Sequence, residues 1–343
     1  MVIVQSYSLC IVLLVTTMFC WGSWANTQKL ASREWNFQLF YWDYALGVLL
    51  LSLFFAFTLG STGQQGRGFL PDLAQADAGA LGSAFLGGVV FNLANILLVA
   101  AIDVAGLALA FPVGIGLALV LGVLVNYVAT PLGNPVFLFV GVALVSIAIL
   151  LNATAYRKKQ AADASRAGRP SPAGGPGKGI VLSLVAGILM SSFYRFVAAS
   201  MAPDFVMPEA GRLTPYTALV VFSLGLFASN FVWNTYVMAR PFSGKPVRYA
   251  DYFRKGNPRL HLIGMLGGAI WFVGMAFSIM ASGEAGFAIS YGLGQGATMV
   301  AAFWGVFVWR EFRNAPAGTN SLLSLMFLSF LSGLALIIYA RYA

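Results

Sequence analysis

Ten times along this chain about 20 residues pass with almost no charge, at roughly 8–29, 37–59, 81–101, 104–126, 135–154, 179–202, 213–239, 260–281, 285–308 and 319–341. A helix of about 20 apolar residues crosses a bilayer core. Hydrocarbon offers no water to the backbone, so each crossing must satisfy its own N–H and C=O groups, as a helix does. The pattern predicts an all-α polytopic membrane protein with ten transmembrane helices. Composition agrees: 59% of the 343 residues are hydrophobic and 9% are charged, against about 25% charged in a soluble domain. Too few charges remain to cover a water-soluble surface, which excludes a soluble enzyme and a disordered chain. The first run lacks a basic leader and a clean small-residue cleavage site, so it reads as a span rather than a signal peptide.

The net charge of +9 would suggest a nucleic-acid partner were it not for where the basic residues fall. With the N-terminus outside, 16 of the 20 Lys and Arg lie in loops on the inner side, including six between Arg157 and Lys178 and six between Arg240 and Arg259. Three lie outside (Arg67, Arg212 and Arg341), and Arg195 sits inside a run. The positive-inside rule then puts both termini outside, in the cytoplasmic (inner) membrane, with no nucleic-acid partner. Residues 156–178 carry the longest polar stretch and read as a basic, flexible cytoplasmic linker, rich in Pro and Gly. They divide the chain into five-helix halves, 1–155 and 179–343. An odd number of helices per half gives the halves opposite orientations.

The halves share a sequence. Residues 105–116 read AGLALAFPVGIG and residues 285–296 read AGFAISYGLGQG, with a constant offset of 180. Both segments fall in the fourth run of their half. A 5+5 inverted repeat is a transporter architecture, with substrate held between the repeats near the midplane. Small residues where membrane helices pack offer the plainer account of the glycines. The second copy is the more polar one: Ser290 replaces Ala110, Tyr291 replaces Phe111 and Gln295 replaces Ile115. Pro112 and Gly292 share one slot, and either weakens the helix there.

Other short motifs recur in order: Trp21-Gly22-Ser23 in the first run, Asp43-Tyr44 opening the second, Asn92-Leu93-Ala94-Asn95 in the third and Leu124-Val125-Asn126-Tyr127 ending the fourth. With the repeat, these make the chain resemble the drug/metabolite transporter superfamily. Within it, the chain is similar to the branch of glucose/ribose porters, rhamnose–proton symporter and ureide permeases. The Asp-Tyr and Asn-Tyr pairs look most like ureide permeases. Phe111-Pro112 looks more like the glucose porters, and the outside termini with a basic central loop resemble the rhamnose symporter. The resemblance implies ten helices built as an inverted repeat of five, and facilitated or ion-coupled transport. No phosphate-binding G-x-x-x-x-G-K-[ST] motif is present.

Polar groups inside the runs are the candidate site residues, because burial in a membrane is costly. Arg195, after Tyr194, is either a donor fork for substrate oxygens or an internally paired or snorkelling side chain. Asp43 lies in Phe40-Tyr41-Trp42-Asp43-Tyr44, either as a proton carrier or as an interfacial acid among belt aromatics. Asp103 and Glu284, at the turns entering the two repeat copies, are gate candidates or headgroup-level turn residues. Asn92 and Asn95, three apart on one helix face, offer donors and acceptors to a polar solute. Asn230 and Asn234 do the same nearer the inner end. Trp21 brings an aromatic face, and Phe111, Ser290, Tyr291 and Gln295 come from the repeated segment. Trp24 fits an interfacial belt better. Asn152-Ala153-Thr154, a glycosylation-like triplet, is set aside because it lies at the inner end of a run. Cys10 and Cys20, ten residues apart on one helix, are too distant to bridge, and a single histidine, His261, offers no metal set.

The expected function is alternating-access secondary transport of a small uncharged polar solute, a monosaccharide first, with proton symport through Asp43. The alternatives are a ureide or nucleobase permease, or a drug/metabolite exporter of the same superfamily. The expected partners are the lipid bilayer, a small-molecule substrate and protons, with no cofactor and no enzymatic activity. A monomer and a homodimer are equally compatible with the sequence.

Overall fold

In the computed structural model, which describes residues 1–32, 34–105, 107–167, 176–242 and 244–343, every regular element is helical. The helices are α1 (Tyr7–Ser23), α2 (Ala25–Ala31), α3 (Phe37–Phe57), α4 (Phe69–Gln75), α5 (Ala78–Ala105), α6 (Leu107–Ala129) and α7 (Pro135–Ala167). They continue as α8 (Pro176–Ser200), α9 (Pro215–Ala239), α10 (Tyr249–Lys255), α11 (Pro258–Ala285), α12 (Phe287–Gly294), α13 (Ala297–Phe303) and α14 (Thr319–Tyr339). Among the described residues, nine helical segments are long and apolar enough to cross a membrane, counting α1 and α2 as one. The chain is thus a polytopic membrane protein.

The expected tenth crossing, 285–308, is not one helix. Gly286 takes a φ of 82° between α11 and α12, a left-handed value that suits a residue without Cβ. Gln295 and Gly296 separate α12 from α13, and Trp304–Val308 follow as a π-helical turn. Four glycines in eleven residues leave little to hold a straight helix here. The first repeat copy behaves otherwise: Pro112 sits inside a continuous α6.

Part of the segment expected to be a flexible linker is helical. Residues 156–167 prolong α7. Their Ala, Lys, Arg and Gln are good helix formers, and Lys159 pairs with Asp163 one turn on at 2.6 Å. The Pro and Gly that suggested flexibility lie in 168–176, mostly outside the described residues. At the other helix starts the local rules hold: Pro215 and Pro258 open α9 and α11, and the Asn257 side chain accepts from Leu260 N–H.

Glycines set the helix spacing. A Cβ on Gly88 of α5 would lie 2.0 Å from Phe222 O of α9, and one on Gly225 of α9 would lie 2.1 Å from Phe85 O of α5. The same exchange joins α3 to α11 through Gly47 against Met265 O (2.1 Å) and Gly268 against Tyr44 O (2.0 Å). Backbone meets backbone at each crossing, as small residues permit in membranes. α5 also packs on α8, α11 on α1, α6 on α8, and α7 on α14.

Polar groups close one end of the bundle. The buried Asp72 carboxylate accepts from Arg67 Nε (2.7 Å), Thr214 N (2.8 Å) and Thr214 Oγ1 (2.9 Å), tying α4 to the start of α9. At the same end Arg341 Nη2 lies 3.5 Å from Glu284 Oε1. Glu284 is thus in the last turn of α11, paired to the end of α14.

Gly225→Ala should force α5 and α9 apart and cost about 3 kcal/mol, the upper range for overpacking. Thermal unfolding in detergent should show a drop of several degrees, with Gly79→Ala, which meets nothing within 4 Å, unchanged.

Candidate functional site

A cavity of about 330 Å³ lies in the middle of the bundle. Its walls come from α1, α2, α5, α6, α7, α8, α11 and the broken segment α12–α13. The local reason for the opening is the break itself. Where α12 stops, Gln295 turns its amide inward, and Thr298 Oγ1 donates to Gln295 O at 2.9 Å, taking up a carbonyl the helix has lost.

Aromatic rings form one continuous part of the wall. Trp21 stacks on Trp271 (6.1 Å, 14° between planes) and donates Nε1–H to Trp271 O at 3.2 Å. Trp271 meets Phe91 at 4.4 Å, and Phe111 and Phe193 complete the apolar surface. Trp21 fits only because two glycines flank it: a Cβ on Gly274 or on Gly294 would lie 2.6 Å from its ring. Gly294 belongs to the repeated segment, so that glycine has a job beyond helix approach.

The polar lining is almost all amide: Gln28, Asn95, Asn152 and Gln295. Asn95 Nδ2 donates to Tyr41 Oη at 3.1 Å, leaving its carbonyl oxygen to the cavity. Asn152 is 8% exposed and its Oδ1 is buried without a hydrogen-bond partner. Tyr156 and Thr298 add hydroxyl groups to the wall. Among the described residues no Asp, Glu, Lys, Arg or His lines the space. A second cavity of about 280 Å³ shares Gln28 and Val99 with the first and runs past Ser32, Asn36 and Gln38 to Gly244. The two together lead from the centre of the bundle to the end that carries the basic loops.

Of the residues singled out by sequence, Trp21, Asn95, Phe111 and Gln295 line the cavity, and so does Trp24, which the sequence assigned to an interfacial belt. Asn92 points to α9, donating to Leu226 O (3.2 Å) and Ser229 Oγ (2.9 Å). Tyr194 and Tyr291 are buried behind Phe193, 5.3 Å apart, with Tyr194 Oη 2.9 Å from Ser278 Oγ and Tyr291 Oη donating to Met190 O at 3.1 Å. Ser290 is buried with its hydroxyl unpartnered. Arg195, two residues past Phe193, is half-buried, lines neither cavity, and among the described residues makes no ion pair with Asp43. Asp103 lies outside the residues whose side chains are described. Asn230 and Asn234 donate to Tyr41 O and Gln38 O, holding α9 to α3.

Asp43 is 1% exposed and lines neither cavity. It accepts from Trp35 Nε1 at 3.1 Å and from Tyr252 Oη, and His261 Nδ1 lies 2.9 Å away. Burial and the nearby carboxylate push the Tyr252 phenol well above its usual range, so it stays a donor. The carboxylate clasps α10 and α11 to the start of α3.

Gln28, Phe91, Asn152, Tyr156, Phe193, Trp271 and Thr298 join the site without having been singled out for it. Asn152 had a visible signal, an amide inside an apolar run, hidden by the glycosylation-like triplet around it. Phe91, Phe193 and Trp271 carried none, since a membrane helix shows aromatics to lipid and to cavity alike.

Comparisons with known proteins point one way. The sequence profile of the family described as Ureide permease matches residues 40–171 and 178–340. Ureide permease 2 of Arabidopsis thaliana is 24% identical over 395 aligned positions, covering 98% of both chains. Ureide permease 1 of the same organism is 23% identical over 385, again covering 98% of both. A solved crystal structure superposes with a TM-score of 0.60 over 98% of this chain and 99% of its own, at 14% identity, a likeness of fold alone.

Asp43→Leu should leave buried Trp35 and half-buried Tyr252 and His261 without their shared acceptor and cost about 3 kcal/mol, since an unsatisfied buried group costs roughly 1–3 kcal/mol. A melting point several degrees below wild type in the same detergent is the expected reading, with Asp43→Asn closer to wild type.

Proposed function

This chain belongs to the ureide permease family, and from that premise we propose that it carries a small, neutral, nitrogen-rich solute, a ring ureide or a nucleobase, by alternating access. As a family member it is a membrane transporter. The observation that carries the substrate class is the cavity lining: stacked rings with amides between them and, among the described residues, no charged side chain. A ureide presents N–H and C=O side by side, the same pair an Asn or Gln amide offers in return. Its flat ring suits Trp21, Phe91 and Trp271. A monosaccharide needs partners for five or so hydroxyls spread over all its edges, and this wall is mostly apolar. The family match likewise favours the ureide reading over the sugar and over export of lipophilic drugs. Trp21, Phe111, Asn95 and Gln295 are the proposed contacts, with Gln28 and Asn152 beside them.

The reading also takes 285–308 as a tenth, discontinuous crossing and the chain as two inverted five-helix repeats, 1–155 and 179–343, joined by 156–178. The packing supports it. Exchanging the first five crossings for the last five turns α5 on α8 into α11 on α1, α5 on α9 into α11 on α3, and α6 on α8 into α12 and α13 on α1. The pairs α3–α9 and α7–α14 map onto themselves. A broken helix lining a water-filled space is a familiar transporter device. With the basic loops inside the cell and both termini outside, as charge placement favours, the present conformation faces inward, its outer end closed around Asp72.

Asp43, off the cavity and held by three partners, fits a clasp better than a proton carrier. Uptake driven by a pH gradient is expected to survive Asp43→Asn in any preparation that retains wild-type stability.

Uracil and hydantoin should raise the melting temperature of the purified protein in proportion to occupancy, while glucose and tetraphenylphosphonium should not. Asn95→Ala and Gln295→Ala should each weaken the uracil effect roughly five- to tenfold in affinity, the worth of one hydrogen bond. Stabilisation by glucose alone would return the monosaccharide to first place.

A further inference from the structure

Among the described residues Tyr156 is the one hydroxyl-bearing aromatic in the cavity wall, and its proton is already committed. Its Oη donates to Glu311 Oε2 at 2.7 Å. The other carboxylate oxygen, Glu311 Oε1, pairs with Lys29 Nζ of α2 at 2.9 Å. Lys29 in turn sits 4.1 Å over the ring of Trp309, whose Nε1 donates to Asn26 Oδ1 at 2.7 Å. The chain of contacts therefore runs from the end of the first crossing, through the segment after the π-helical turn, to the cavity.

The backbone is shaped for it. The π-helical turn is followed by Arg310 at a φ of 52°, and Glu311 N donates to Gly305 O at 2.9 Å. Gly305 must lack a side chain: a Cβ there would lie 2.7 Å from Tyr156 Oη and 3.2 Å from Glu311 Oε2. Phe312 meets the Tyr156 ring edge-on at 4.9 Å and fixes its plane. A non-glycine residue with positive φ beside a π-helical turn is the kind of local strain that the surroundings must hold in place.

A free tyrosine hydroxyl gives or takes a hydrogen bond. Here burial works against the Glu311 charge, but the bonds from Lys29 and Tyr156 outweigh it and hold the acid below its usual range, with Lys159 adding a smaller pull. Glu311 thus stays an acceptor, and the Tyr156 oxygen has only lone pairs left for the cavity.

We propose that Glu311, braced by Lys29, is a positioning residue that makes Tyr156 an obligate acceptor, so that the site selects solutes presenting an N–H group to it. This rests on the substrate class proposed above and says which of its polar groups the inner half of the cavity reads. An N-methylated analogue has the same ring and carbonyls but nothing to give Tyr156. Rejection of a ligand that leaves a buried polar group unpaired is stronger than rejection by shape alone.

The test compares uptake of uracil and 1,3-dimethyluracil into proteoliposomes. Wild type should favour uracil by tenfold or more in KM. Tyr156→Phe should cut that preference at least threefold by raising the uracil KM, with Vmax little changed. The charge-neutral pair Lys29→Met with Glu311→Leu should do the same, and the triple variant should lose no more than either. Preference lost in Tyr156→Phe but kept in the Lys29/Glu311 variant would overturn the positioning role; preference kept in both would overturn the contact. A readout that needs no substrate accompanies it. Maleimide labelling of Asn152→Cys, one turn from Tyr156 on the same face of α7, should speed up at least threefold once the ring is released. An unchanged rate overturns the proposal even if no uracil is carried. If wild type carries neither pyrimidine and labelling still responds, the failure belongs to the substrate class and not to the Glu311–Tyr156 link.

Discussion

Trp21 lies in a slot between Gly274 and Gly294, face against Trp271, and the cavity depends on that placement. In hydrocarbon there is no hydrophobic force to bring helices together, so close packing and internal hydrogen bonds must do it. The glycines of α3, α5, α9 and α11 bring backbones into contact, and that tight frame leaves a central space unfilled, where the helix after Gly286 breaks. A side chain on Gly294 would expel the indole, and the wall that faces the solute would go with it. The break would also leave carbonyls unsatisfied in lipid, were it not lined up with a polar space.

The helical architecture could be read from sequence because its cause is one-dimensional: length, apolarity and the need to satisfy a backbone in lipid. The broken run was harder. The Gly-rich pattern occurs twice, yet Pro112 sits in a continuous helix while the second copy parts at Gln295-Gly296. The difference arises from what packs alongside, Trp21 in one case and Leu98 with Ser183 in the other. The linker misled for a local reason, since its Pro and Gly are bunched after Ala167 and the residues before them are helix formers.

The site was legible in part, and helix geometry explains which part. Asn92 and Asn95 are three residues apart, about 60° around the helix, enough for one to face α9 and the other the cavity. Arg195 and Phe193 are two apart, about 160°, so an Arg that looked functional by its cost stands opposite a Phe that looked ordinary. Asp43 was noticed for the same cost, and two of its three partners, Tyr252 and His261, lie on segments far along the chain. Burial expense identifies which polar residues need an explanation; it does not distinguish a ligand contact from a satisfied joint.

The α7–α14 contact has a mechanical side. A Cβ on Gly141 would lie 2.7 Å from Gly333 O, and one on Gly333 would lie 2.8 Å from Gly141 O. Two helices seated this closely, each notched to the other's backbone, resist sliding past one another. They form a stiff beam, fastened to the remainder mainly along α6. Tyr156 and the Asn152 amide ride on the inner part of that beam. Any swing of the beam displaces both together, so the rim of the cavity changes its shape and its hydrogen-bonding in a single stroke.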